Sequence, residues 1–572
     1  MKTRTVWTLI VAALLAAVAA LTQAPPSGAG DIARYVPEGS LLVLEAENFA
    51  ALLSDWNGAP QKTAWLASDN YSSFSRSKLF LRLQEAQSEF AAAAGLPADM
   101  PLVESVAGRE SILAVYDIGS LQFLCITRLP SAQAMENAVW RTRANFEPRN
   151  AGDRPYYLRA DAASQREVAF AATDDYLLLA TSGDVLAAAL RLLAGQQQAA
   201  VTSEAWYADA AAARSQRGEL RLLMNLERLV RTPHFRSYWI QQNVSEVAKY
   251  RAGVADLFRS AGEYREERAF LPAGQAAAGQ PSQAKAQAAA DLLRFAPPAA
   301  GFHAARPFAA TAEAVDLVAD KLLAPRISGM RRVQNAPQVD VGDGRTGYEG
   351  ALETRIDQPP AVYSSGGLAQ EAIIAAFESN PPLAALQVES SRKSGGDVFV
   401  GTDTALVLVA ASDWNAAALR PAFESAVRGL WTTSSLGAQW TERTIGGEAF
   451  HQLGGLTSLV IAVRGQHLFL ANSAELLIAI LARANNAAGE PPVLYAAQFR
   501  RAAEQANYET LMRHLDYLQY GQYRFQQDRQ PDFFSENIAS LGRTLDRVEF
   551  MSIRVAQNGE SVNQTVVYRL SQ

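Results

Sequence analysis

The sequence predicts an α+β fold built from two tandem copies of one module, each with a mainly antiparallel sheet and helices packed on it. Two observations carry that expectation. A strand-turn-helix element occurs twice. Ala171, Leu177, Leu179, Ala180, Ser182, Leu186, Ala188 and Leu190 recur without a gap as Ala462, Leu468, Leu470, Ala471, Ser473, Leu477, Ala479 and Leu481. The opening segment Asp31-Ile32-Ala33-Arg34-Tyr35-Val36-Pro37 also recurs, as Asp291-Leu292-Leu293-Arg294-Phe295-Ala296-Pro297. A repeat at this spacing sets the domain plan. Residues 1–30 form a leader, 31–272 a first repeat, 273–290 an Ala/Gly/Gln-rich linker and 291–572 a second repeat.

The leader comes first. Lys2 and Arg4 precede an apolar run from Val6 to Leu21, and Thr22-Gln23-Ala24 offers small residues before Pro25-Pro26-Ser27-Gly28. That is the layout of a secretory signal. Residues 6–24 are equally the segment that would anchor the chain if no cut occurred. Either outcome places the bulk of the chain outside the cytoplasm, with membrane contact only through this segment. The single cysteine, Cys125, lies in the apolar run Leu121 to Ile126, which reads as a buried strand position rather than a reactive thiol.

The elements follow in order. Pro37-Glu38-Gly39 turns the chain into a strand near Leu41 to Leu44, and a helix begins near Asn48. Proline presets one turn angle and glycine permits another. A helical stretch carries Phe80, Leu83 and Ala86. Ile112 to Tyr116 and Leu121 to Thr127 flank Asp117-Ile118-Gly119-Ser120 as a hairpin. A helix is expected from Pro130-Ser131 through Trp140, then a strand at Tyr156-Tyr157-Leu158, then the repeated element. In that element Thr181 with Asp184, and Asn472 with Glu475, have capping-box spacing. The second copy matches with Ala405 to Val409, a helix opened by Ser412-Asp413, and Phe450-His451-Gln452. The tails are paired as Trp206 with Phe499, Leu226-Glu227-Arg228-Leu229 with Leu515-Asp516-Tyr517-Leu518, and Val254-Ala255-Asp256-Leu257 with Ile538-Ala539-Ser540-Leu541. Ser328 to Gly367, with Pro337, Pro359 and Pro360, reads as a long surface loop.

Three features together resemble an uncharacterised family of secreted bacterial proteins that begin with a Pro-acidic-Gly or Pro-Ala-Asp turn before an apolar strand. They are Val36-Pro37-Glu38-Gly39-Ser40-Leu41-Leu42-Val43, Ala107-Gly108-Arg109-Glu110, and the hairpin ending at Thr127. The resemblance covers most of the first copy, and the second departs at Pro297-Pro298-Ala299. It implies export and an α+β fold. It supplies no site, because the family is one of unknown function.

Chemistry-bearing motifs do not hold together. Lys62-Thr63-Ala64, Ser68-Asp69-Asn70 and Ser75-Arg76-Ser77-Lys78 match the letters of the three penicillin-binding boxes, but reversed and within one short stretch. Gly342-Asp343-Gly344-Arg345-Thr346-Gly347 matches a dinucleotide fingerprint without the apolar helix that must follow it. The five histidines lie far apart, and there is no cysteine cluster to complete a zinc site. His451 and His467 are expected on adjacent strands, where the first copy has Tyr157 and Tyr176. No catalytic, cofactor-binding or metal residue is therefore assigned. The formal charge of −6 argues against a nucleic-acid binder. The aromatic clusters are the remaining feature. Phe235, Tyr238 and Trp239, with Tyr520 and Tyr523, form either an interaction surface or the cap of each core. The expectation is an exported, non-catalytic envelope protein that binds or scaffolds a protein or an envelope component, its partner an envelope protein or lipid. A lipid or hydrophobe carrier and an envelope-acting hydrolase are the alternatives.

Overall fold

The computed structural model of the protein describes residues 29–68, 71–72, 75–76, 78–97, 99–162, 166–196, 199–233, 247–260, 262–274, 281–323, 371–394, 399–431, 439–454, 458–505, 507 and 547–571. Residues 1–28, the stretch from Ser328 to Gly367, the Gly342 to Gly347 motif and the paired tail segments 515–518 and 538–541 lie outside them. Among the described residues no helix is long and apolar enough to cross a membrane. The chain divides into two units, residues 1–59 with 82–225 and residues 60–81 with 226–572.

The first unit is an antiparallel sheet. β1 (Leu42–Ala46) lies between β8 (Leu220–Met224) and β2 (Ser111–Asp117). β2 returns as β3 (Gln122–Arg128), which pairs with β7 (Tyr176–Ala180). β6 (Glu167–Thr173), β5 (Arg154–Ala160) and β4 (Glu147–Ala151) extend the sheet beyond β7. The order is β8-β1-β2-β3-β7-β6-β5-β4.

The second unit uses β9 (Tyr250–Ser260), β10 (Glu263–Pro272), β11 (Phe302–Pro307), β12 (Pro382–Ser394), β13 (Phe399–Ala410) and β14 (Trp440–Ile445). It continues with β15 (Glu448–Leu453), β16 (Leu459–Arg464), β17 (His467–Ala471), β18 (Tyr495–Arg500), β19 (Val548–Asn558) and β20 (Ser561–Leu570). Its order is β9-β10-β20-β19-β18-β11-β12-β13-β17-β16-β15-β14, again antiparallel throughout. From β18 to β14 this order runs place for place like that of the first unit. Beyond β18, β20 pairs with β10 over eight residues from Glu263↔Arg569 to Phe270↔Val562.

Side-chain alternation builds the layers. In the second unit Leu386, Val388, Val407 and Phe469 meet the helices Gln283–Leu292 and Ala474–Leu481 on one face. Ala385, Leu406, Leu408 and Leu468 point the other way, toward the helices Thr311–Val318, Glu371–Ser379 and Ala416–Trp431. Burying each large apolar side chain contributes about 1.5–3 kcal/mol, so both helix layers are held by the strand register.

Local details correct several expectations. The helix caps are Ser182 and Ser473, which accept from Val185 N and Leu476 N, rather than Thr181 and Asn472. Thr181 and Asn472 instead tie the strand end to its neighbour. Thr181 Oγ1 accepts from Phe123 N and donates to Leu121 O, and Asn472 Oδ1 accepts from Thr404 N while its amide donates to Thr402 O. The expected helix through Trp140 breaks at Asn137 into Ser131–Glu136 and Ala138–Arg141. The helix expected from Ser412-Asp413 starts later, at Ala416, where Asn415 Oδ1 accepts from Ala418 N.

Trp206 lies in a helix and Phe499 in β18, so those two do not correspond. Val254 to Leu257 lie inside β9 rather than before it. Gln283 to Ala290, expected in the linker, form most of a helix that buries Ala286, Ala289 and Ala290, because alanine is both a good helix former and small enough to pack closely. Gly108 donates its N–H to Thr127 Oγ1, and a Cβ there would run into Arg128 O.

One buried polar group distinguishes the first unit. Glu45 is 2% exposed and directly opposite Arg221, which is 3% exposed. Glu45 pairs with Arg217 and accepts from the Tyr207 hydroxyl. Arg221 donates to Arg214 O (3.0 Å) and Gln216 O (2.9 Å). Counting from Pro37 and from Pro297, the same places in the second unit hold Ala305 and Ala496, also directly opposite each other. Removing one member of a buried charged cluster strands the others, so Glu45→Ala should cost about 3–5 kcal/mol in denaturant unfolding. Adding Arg221→Ala should then cost clearly less than it does alone. A Glu45→Ala chain as stable as the parent contradicts this account.

Candidate binding cleft

A cavity of about 370 Å³ opens in the second unit between β11 and a covering helix. Its floor is one face of three strands: Phe302, Ala304 and Arg306 from β11, Ala385 and Gln387 from β12, and Tyr495 from β18. Asp316, Leu317, Asp320 and Lys321 line it from the covering helix. That helix leaves α geometry after Val318 and finishes in a π-helical turn, Ala319–Leu323. The turn buries Leu322 and Leu323 while Asp320 and Lys321 line the cavity. Such turns recur at functional sites because they re-aim side chains within a packed helix.

The polar groups are spread around the wall. Lys321 Nζ pairs with Glu389 Oε1 at 3.4 Å, and Gln387 Nε2 donates to the same oxygen at 2.8 Å. Arg306 is half-buried, with its guanidinium 5.8 Å from the Phe308 ring centre. Among the described residues it makes neither an ion pair nor a hydrogen bond, although Asp316 and Asp320 line the same cavity. Burial raises the Tyr495 hydroxyl above its ordinary range, and the nearby Arg306 charge opposes that only partly. Tyr495 therefore keeps its proton and serves as a donor.

By the same count from Pro37 and Pro297, and by strand register, the first unit has Leu42, Ala46, Leu113 and Leu220 where the second has Phe302, Arg306, Gln387 and Tyr495. The cleft chemistry thus belongs to the second unit alone. A roomier hollow of about 460 Å³, lined by Pro281, Pro491, Pro492, Val493 and neighbours, has no charged side chain in its wall.

The aromatic residues expected to form an interaction surface, Phe235, Tyr238, Trp239, Tyr520 and Tyr523, lie outside the described residues. Of the histidines, His303 sits on β11 but on the face opposite Arg306. His451 and His467 are not on adjacent strands: β16 runs between β15 and β17. His467 packs against Phe295, with ring centres 5.2 Å apart. Among the described residues no group of three or more His, Cys, Asp and Glu could hold a metal. Sequence reasoning missed Arg306, although a lone arginine in the mostly apolar strand Phe302–Pro307, where the first unit has Ala46, was a usable signal.

No protein-family model matches the chain, and no curated protein matches it. Solved structures do. Crystal form I of TP0453 is 10% identical, with a TM-score of 0.24, and the match covers 43% of this chain and 79% of that one. Crystal form III is 7% identical, with a TM-score of 0.22, covering 42% and 79%. At TM-scores this low the likeness carries no argument.

His303 gives the site's strand a pH signature. Burial, then the Arg500 and Arg483 charges, push its pKa from 6.5 to about 4. The unfolded chain therefore binds the proton first as pH falls, and the native state loses stability from about pH 6.5 down to about pH 4. The loss attributable to His303 should be of order 2–3 kcal/mol. A His303→Phe chain followed by denaturant unfolding between pH 7 and 4 should show a flatter slope than the parent, and an unchanged slope would exclude the assignment.

Proposed function

We propose that the chain is an exported, non-catalytic envelope protein, a tandem duplication of one α+β module, that binds an envelope component in the cleft of its second unit. The observation that carries the reading is Arg306. Without an ion pair among the described residues, it lines a cavity with Tyr495 and two aspartates, at a place where the matching register of the first unit is apolar. A half-buried charge with no ion pair or hydrogen bond among the described residues is costly, and a ligand group of opposite charge offsets that cost. Arg306 offers only N–H donors, and Tyr495 keeps its proton across the physiological range. Both then act as fixed donors that hold a ligand rather than as groups that shuttle protons. The leader after Lys2 and Arg4 supports export. The matched strand orders, the paired caps Ser182 and Ser473, and the paired ties Thr181 and Asn472 support the duplication.

A photo-crosslinking amino acid at Gln387 in the full chain, expressed in exporting cells, tests the reading. The expected result is an adduct with an envelope component, recovered from the envelope fraction and lost when Arg306 is changed to Glu. The same adduct from a probe at the exposed Glu442 of β14, or one indifferent to Arg306→Glu, would sink it.

A further inference from the structure

The arrangement of charges in the cleft narrows the ligand class, on the reading that the cleft is a binding site. Opposite charges line one small cavity, yet Arg306 is not paired with either aspartate. The covering helix places Asp316 and Asp320 four residues apart, on one helical side, while Arg306 and Tyr495 rise from the sheet floor. Lys321 of the same wall is paired with Glu389, so a simple anion would satisfy the floor and be repelled by the two aspartates, and a simple cation the reverse. A molecule that carries both charges, separated by a short linker, satisfies both walls at once.

Register adds a second feature. Phe302 is directly opposite Phe499, Phe499 opposite Met551, Met551 opposite Tyr568, and Tyr568 opposite Tyr264. These five side chains therefore share the cleft's face of the sheet, one per strand from β11 through β18, β19 and β20 to β10, and all are half-buried. Four strand spacings carry the row about 19 Å from the cavity, the reach of an extended long acyl chain. The row begins at Phe302, which is itself part of the cavity wall.

We propose that the cleft takes a phosphoethanolamine head group. The phosphate meets Arg306 and the Tyr495 hydroxyl, the ammonium meets Asp316 and Asp320, and the acyl chains of the parent phospholipid lie along the row from Phe302 to Tyr264. The guanidinium fork suits phosphate oxygens, and a primary ammonium has the N–H donors that carboxylates accept. The row assigns the ligand to the lipid rather than to the free glycerophosphodiester.

The test uses the full chain and vesicles of phosphatidylcholine alone, or with added phosphatidylethanolamine or phosphatidylglycerol, and separately glycerophosphoethanolamine in solution. Phosphatidylethanolamine vesicles should bind at least about tenfold tighter than either other kind, the expected worth of charge-assisted hydrogen bonds at one end of the ligand. Arg306→Gln, and Asp316→Asn with Asp320→Asn, should each remove that preference, with circular dichroism confirming the fold. Met551→Gln should weaken vesicle binding and leave glycerophosphoethanolamine binding unchanged. Equal binding to all three vesicles, or a preference for phosphatidylglycerol, overturns the head-group assignment. Glycerophosphoethanolamine that binds as tightly as the lipid overturns the role of the row. If neither lipid nor diester binds while the Arg306-dependent cross-link at Gln387 persists, the zwitterion proposal fails and the cleft reading stands. If the cross-link is lost as well, both fail.

Discussion

The register of β11 between β12 and β18 decides what the second unit can do. Ala305 points into one helix layer, where Leu386, Val388 and Phe469 already pack, while Phe302, Ala304 and Arg306 point to the cleft. A slip of one residue would drive Arg306 into the alanine- and leucine-lined core and bring Ala305 to the cleft. Burying an unpaired guanidinium there would cost far more than any single contact recovers. The apolar side of the strand therefore fixes the register, and the register then fixes the polar side. Arg306 is held in place by the neighbours on the opposite face of its strand, and among the described residues no ion pair or hydrogen bond of its own does so.

The comparison between the units separates what the architecture needs from what a site needs. Both have the same strand order over eight places, both cap the repeated helix with serine, and both tie the preceding strand end with the residue before that serine. Those features recur because each satisfies backbone groups that burial would otherwise strand. The polar clusters do not recur. Glu45 and Arg221 fill a core position in the first unit where the second has two alanines, and Arg306 with Tyr495 line a cavity where the first has Ala46 and Leu220. Neither cluster is required by the fold, since the same strand order forms without it.

Much of this was legible in the chain. Runs such as Leu468-Phe469-Leu470 and Leu177-Leu178-Leu179 announce strands covered on both faces, each followed by a serine-capped helix. Errors arose where two chemistries share one signal. Thr181 and Ser182 are both good caps, and only the geometry of the neighbouring strand shows that one serves the helix and the other β3. An alanine-rich stretch reads as a linker until a helix layer with room for small side chains appears beside it, as at Ala286 and Ala289. Trp206 was matched with Phe499 because both are aromatic near an expected tail, although one belongs to a helix and the other to a strand. The cleft was the least legible part. Arg306 and Tyr495 lie on neighbouring strands, far apart in sequence, and a single charge in a short apolar strand carries no periodic signal.

Thiol accessibility tests the central claim, that strand register presents Arg306 and not Ala305 to the cleft. The native Cys125, half-exposed in β3, is first replaced by serine so that only the introduced thiol reports. Arg306→Cys and Ala305→Cys chains would each be treated with a water-soluble maleimide under native conditions. The account predicts that the cysteine at 306 is labelled at a rate close to that of an exposed thiol, and that the one at 305 is protected until the chain unfolds. Equal labelling at the two positions, or protection at 306 with labelling at 305, would contradict it.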